Sequence, residues 1–147
     1  TADAGNGPVA MTVSSLSSVG IAPPTLVFSA SPLSSATPVI REAGTLVVHM
    51  LTADQVELAK LASTSGVDRF GEDVNWDRLP TGEPYYPEAS EWLRGRIIGR
   101  LDINGSTLVV VEALQAKPRE DVEHDDRLPL VYHNRTWHAL GEHSRRG

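Results

Sequence analysis

WLRGRIIGRL at residues 92–101 runs through DING at 102–105 into STLVVVEALQA at 106–116. Two long runs rich in Ile, Leu and Val thus flank Asn104-Gly105, a dipeptide that favours the positive backbone angles of a tight hairpin turn. The pattern predicts strands over Trp92–Leu101 and Thr107–Ala116, paired antiparallel across Asp102–Gly105. Outward from this pair, Thr45–Leu51 reads as the clearest buried strand, with shorter strands over Val9–Ser14 and Thr25–Ala30. Leu130–His133 and Thr136–Leu140 read as a closing hairpin around Asn134-Arg135. A parallel sheet needs a crossover helix after each strand, and three of these joins are too short for one. The expected fold class is therefore mainly β, a small antiparallel barrel of about six strands with two or three short flanking helices.

The helices follow from punctuation. Ser31 to Gly44 carries Ser and Thr before Pro and ends on Gly, which predicts a helix of one or two turns. Thr52-Ala53-Asp54-Gln55 is a capping-box pattern opening a helix that continues to about Ala62. Ser63 to Glu91 reads mostly as loop, with Phe70, Trp76 and Tyr85 inside it, and Arg119 to Arg127 as an acidic, solvated loop. Trp76, Trp92 and Trp137 are assigned to the core. Thr1 to Gly7 has turn composition with an Asn6-Gly7 hairpin signal and no strand before it, so its pairing partner is expected ahead of Thr1. The expected organisation is one domain over residues 1–140 and a disordered tail at 141–147.

Composition narrows the chemistry. At 147 residues, 40% hydrophobic and 22% charged, the chain suits one globular domain, and no apolar run is long enough for a membrane helix. A net charge of -6 without a basic patch argues against nucleic acid. With no cysteine there are no disulfides, thiolate metal sites, iron–sulfur clusters or cysteine nucleophile, and the expected compartment is the cytoplasm. The chain has no Gly-x-Ser-x-Gly elbow, P-loop or dinucleotide-binding glycine fingerprint. His124, Asp125 and Asp126 resemble a metal cluster, but a charge run is more often a solvated loop, so no metal site is expected.

Two hydroxyl clusters remain. Thr12, Ser14, Ser15, Ser17 and Ser18 form either a polar strand edge or one side of a ligand site. Ser31, Ser34, Ser35 and Thr37 precede a helix start, where backbone N–H groups favour a phosphate or carboxylate, although Ser and Thr also serve there as caps. Together they suit an elongated ligand with a phosphate at one end. Among the histidines, His138 and His143 read as surface residues, and His49, in an apolar strand, reads as a satisfied core residue.

Residues 9–19, VAMTVSSLSSV, then Pro23 to Phe28, Ser34-Ser35-Ala36-Thr37 and Ile40, resemble the flavin reductase family of FMN-binding split-barrel proteins, the reductase components of two-component flavin monooxygenases. The later order of Asp68-Arg69-Phe70, Trp76, Pro80-Thr81-Gly82, Trp92-Leu93, Ser106-Thr107 and Pro129 to His133 is similar to it too, in register from Gly7 to Leu140. The resemblance implies a six-stranded antiparallel Greek-key barrel, a homodimer, FMN or FAD as flavin, NAD(P)H as hydride donor and a partner monooxygenase. It places Met11, Thr12, Val13, Ser14 and Ser15 along the isoalloxazine, with Ser29, Ala30 and Ser31 lining the same pocket. Ser34, Ser35 and Thr37 would meet the ribityl phosphate, Arg69 and Phe70 would lie at the flavin edge, and His133, beside Tyr132, would face the nicotinamide as the catalytic residue. The chain departs from the family in lacking a helix and strand ahead of Thr1. It has Ala36 where many relatives carry Arg, so the phosphate's cation is expected from Arg41, Lys60 or the partner chain. It also has His49 for Asn, Ser106 for His and Val111 for Gly. The alternative is a non-catalytic flavin- or haem-binding protein on the same barrel.

Overall fold

The structure is a computed structural model and describes residues 1–118 and 127–147. Its strands are β1 (Ala2–Asp3), β2 (Pro8–Val9), β3 (Ser17–Ile21), β4 (Pro24–Ala30), β5 (Thr45–Met50), β6 (Asp77–Arg78), β7 (Pro84–Tyr85), β8 (Glu91–Ile103), β9 (Ser106–Lys117), β10 (Leu130–His133) and β11 (Thr136–Ala139). The helices are α1 (Thr37–Glu42) and α2 (Val56–Ser63), and no helix among the described residues is long and apolar enough to cross a membrane.

The alternation of residues 92–116 forms the expected hairpin. β8 and β9 pair from Ile103↔Ser106 to Trp92↔Lys117, and Asn104 and Gly105 turn the chain at φ 49° and 86°. They are the centre of a five-stranded antiparallel sheet in the order β3-β4-β9-β8-β5. Its inner face buries Phe28, Val109, Val111 and Ile97 against Ile40 and Ala43 of the α1 segment. The β8–β9 register shifts at Gly95, where an added Cβ would overlap Cγ1 of Val111 and lie 3.1 Å from the Glu112 carbonyl. Backbone and a fully buried valine cannot both retreat. Gly95→Ala is therefore expected to cost about 1–3 kcal/mol through overpacking, measured by denaturant unfolding.

Four local expectations change. Residues 10–16 are not a strand; β2 stops at Val9 and the ladder resumes at Ser17. Side chains hold the gap instead, since Thr12 Oγ1 donates to the Ala59 carbonyl (2.6 Å) and Ser15 Oγ accepts from the Ser29 amide (2.9 Å). Thr1 to Gly7 contains its own hairpin partner, Ala2 pairing with Val9, and Asp3 Oδ1 accepts from the Gly5 and Gly7 amides in the turn. The Val47 amide donates to the Thr1 carbonyl, hanging β1 on the free edge of β5. The 63–91 loop contains the small ribbon β6–β7, and a 3-10 turn at Glu142–Ser144 lies within the tail expected to be disordered.

The ribbon is fixed by a buried carboxylate that sequence reading did not single out. Glu83, 4% exposed, accepts from Thr45 Oγ1 (2.7 Å), Arg94 Nε (2.7 Å) and Thr81 Oγ1.

Candidate functional site

Val47 packs against Trp92 and Leu79 on one side of β5, whereas Leu46 and Val48 pack into the sheet's inner core. All three nevertheless line a single cavity of ≈ 350 Å³. Thr1, whose carbonyl accepts from the Val47 amide on the side of β5 away from β8, lines it too. The cavity's other walls are residues 11–14, the apolar face of α2, and the closing hairpin at Tyr132 and Trp137. That hairpin is docked through the Leu130 amide on the Leu51 carbonyl (3.0 Å) and the Ala53 amide on the Leu128 carbonyl (2.7 Å).

The structure brings together Met11, Thr12, Val13, Ser14 and Tyr132 as cavity lining. Ser15 instead ties to β4 through Ser29, and Ala30 is fully buried in the sheet core. Ser29, Ala30 and Ser31 do not line the cavity, which β4 meets through Phe28. Trp137, expected in the core, lines the cavity with its ring centroid 4.6 Å from that of Tyr132. His133 is exposed and does not line the cavity, since strand alternation turns it away from Tyr132. Its ring lies 6.1 Å from His138.

The serine cluster forms a turn closed on itself. Thr37 is buried and its hydroxyl donates to the Ser31 carbonyl (2.6 Å), so it holds the turn together. Ser34 Oγ accepts from the Ala36 amide (3.3 Å), and the Thr37 amide donates to the Ser34 carbonyl (3.2 Å). Ser35 is exposed, and its hydroxyl lies 3.4 Å from Nη1 of Arg69. Arg69 is thus the cation of this turn. Arg41 is engaged with Thr107 Oγ1 and the Gly105 carbonyl, and Lys60 with Glu57. Arg69 is oriented by the Thr64 carbonyl, which accepts from Nη2 (2.8 Å), while its Nε is buried without a partner. Its own carbonyl accepts from the Tyr86 hydroxyl (2.9 Å). Burial pushes that phenol up to about 12, leaving it a neutral donor. Phe70 stacks on Tyr86 with centroids 5.5 Å apart and planes 12° apart, so it supports this wall from within.

His49 also lines the cavity, with Nε2 accepting from the Tyr86 amide (3.1 Å). His124, Asp125 and Asp126 lie outside the described residues. Ser34, Ser35, Thr37, Arg69 and Phe70 do not line the cavity; Tyr86, which does, connects it to Arg69 through its hydroxyl, so a mostly apolar slot and a serine turn with one guanidinium share that residue.

Comparison with known proteins agrees with this shape. A family model described as flavin reductase like domain matches residues 1–141. The NADH:FMN oxidoreductase of Rhodococcus qingshengii is 34% identical over 133 residues, covering 90% of this chain and 69% of that protein. The flavin reductase (NADPH) of Lentzea aerocolonigenes is 33% identical over 131 residues, 88% of this chain and 73% of that protein. BorF, the flavin reductase component of a bacterial two-component tryptophan halogenase, superposes with a TM-score of 0.79 at 26% identity, covering 96% of this chain and 88% of that one. The chain belongs to the flavin reductase-like domain family.

Proposed function

We propose that this chain is an NAD(P)H-dependent flavin reductase that binds FMN or FAD and supplies reduced flavin to a partner monooxygenase. The observation that carries this reading is the family match over residues 1–141. The names of the relatives point to NADH or NADPH as donor and flavin as acceptor, and BorF points to a two-component system.

The residues fit a flavin. The slot offers an apolar bed for a fused ring, and the buried, unpartnered Nε of Arg69 beside Ser35 marks an incomplete anion site. When bound, the flavin accepts hydride from the nicotinamide. The chain's residues bind and orient. In this reading Met11 to Ser15 lie along the ring, and Ser29, Ala30 and Ser31 shape β4 behind them. Ser34, Ser35 and Arg69 hold the phosphate, with Thr37 fixing their turn and Phe70 supporting it from the Tyr86 side. Tyr132 forms the nicotinamide wall, with His133 on its rim.

Hydride transfer is sensitive to position, and misplacement by ~1 Å costs about 100-fold. His133→Ala is accordingly expected to slow reduction of bound flavin by about tenfold while flavin affinity stays nearly constant. Stopped-flow spectroscopy measures both, and an unchanged rate removes His133 from the reaction.

The same reading makes the five-stranded sheet with β1 on its edge the frame of a six-stranded Greek-key split barrel, one domain over residues 1–140. It places the reaction in the cytoplasm, where reduced nicotinamide is available. It also makes the protein a homodimer: Ile98, Leu101 and Ile103 are each roughly half exposed on β8 and suit a self-complementary contact. Flavin-loaded protein should sediment as a dimer at micromolar concentration, and a monomer there counts against this part. The function itself is tested by NADH consumption on addition of FMN or FAD. Flavin binding without consumption would make the chain a non-catalytic flavin carrier.

A further inference from the structure

His49 stands on β5 in the cavity wall, and only one of its two ring nitrogens is engaged. The Tyr86 backbone amide lies 3.1 Å from Nε2. An amide N–H can only donate, so Nε2 must be the unprotonated acceptor and the neutral ring carries its proton on Nδ1. No described residue accepts from that Nδ1–H. A histidine serving only to fill the core would have both nitrogens satisfied. Here the backbone fixes the tautomer, and the remaining donor belongs to a cavity-lining side chain. Burial holds the ring's pKa well below its usual value, which keeps it neutral.

We propose that His49 is a positioning residue whose Nδ1–H donates to a carbonyl on the planar heteroaromatic ring held in the cavity, either the pyrimidine edge of the flavin or the carboxamide of the nicotinamide. This rests on the reductase reading above. With Nε2 occupied, the ring offers one donor and no acceptor, so it selects a carbonyl over an amino group at that point. Tyr86 fixes the tautomer through its backbone, and its hydroxyl reaches the Arg69 carbonyl. The same residue therefore supports the ring slot and the serine turn.

Three variants separate the two nitrogens. His49→Asn places an amide N–H near the position of Nδ1, His49→Gln places its amide near Nε2, and His49→Leu has neither. Equilibrium titration gives the dissociation constants for FMN and for oxidised nicotinamide, and steady-state rates give KM against kcat. His49→Leu and His49→Gln are expected to weaken one of these ligands by about tenfold, with Asn restoring most of it. Loss in the FMN constant assigns the bond to the flavin; loss in the nicotinamide constant and KM, with kcat retained, assigns it to the nicotinamide. If Leu and Gln both bind both ligands within about twofold of wild type, the assignment is overturned, as it is if Gln matches wild type and Asn does not. Should His49→Leu fail to fold, the Asn and Gln pair decides alone. Wild-type protein that neither binds flavin nor oxidises NADH overturns the reductase reading along with this one, whereas wild-type turnover with unaffected variants overturns this one only.

Discussion

Glu83→Ala is expected to destabilise the protein by about 3–5 kcal/mol, because it removes one partner of a buried ion pair and leaves the other without compensation. The carboxylate is 4% exposed, and Arg94 beside it is itself largely buried. Burial alone would push the Glu83 pKa up. Hydrogen bonds from Thr81, Thr45 and Arg94 outweigh it and hold the value at about 2, against an ordinary 4.5. A carboxyl whose pKa falls on folding stabilises the folded state in its charged form. Its contribution, about 3 kcal/mol, is complete above the unfolded value of about 4.5 and is lost as the pH falls from there towards 2. Denaturant unfolding of wild type and Glu83→Gln across that window measures the difference. Wild type should lose stability more steeply than the variant, and parallel curves would show that the network does not set the pKa.

The contrast between Glu83 and the β8–β9 hairpin shows what the sequence made legible. The hairpin is local: alternation along Trp92–Leu101 and Thr107–Ala116 and the Asn104-Gly105 turn lie within 25 consecutive residues. Glu83 draws its partners from Thr45 on β5, Thr81 two residues away and Arg94 on β8, and no spacing rule joins those positions. The same distance hid the cation beside the serine turn. Arg69 stands 34 residues from Ser35, whereas Arg41 and Lys60, the cations the sequence offers on this chain, are tied to Thr107 and Glu57. β3 is not legible because two serines and a glycine fill three of its five positions and its apolar residues, Val19 and Ile21, face solvent on an edge strand. Thr12 and Ser14 are legible as a hydroxyl cluster, whereas Met11 and Val13 enter through the family resemblance, since alternation alone reads them as strand.

Arg69→Ala should weaken FMN binding by about 10–100-fold while riboflavin affinity changes little. A hydrogen bond to a charged group is worth about 1.5–3 kcal/mol, and Arg69 is the cation of the serine turn. Its Nη2 bond to the Thr64 carbonyl aims the guanidinium, so Arg69→Lys, without the planar fork, should recover only part of the affinity. Changing Ser34 and Ser35 together to Ala should act in the same direction with smaller effect, since neutral hydroxyls contribute about half as much per bond. Fluorescence titration with FMN and riboflavin reads the difference directly. Equal losses for the two ligands would show that the turn does not read phosphate.

In the function proposed above, this chain passes hydride from nicotinamide to a flavin held in the cavity beside β5. Its most direct measurement is anaerobic titration of the FMN-loaded protein with NADH and NADPH, followed in the flavin and nicotinamide absorbance bands together. The flavin band should bleach by one equivalent for each nicotinamide oxidised, with one donor far faster than the same mixture without protein. Flavin that stays oxidised with either donor, at protein concentrations where binding is complete, would contradict it.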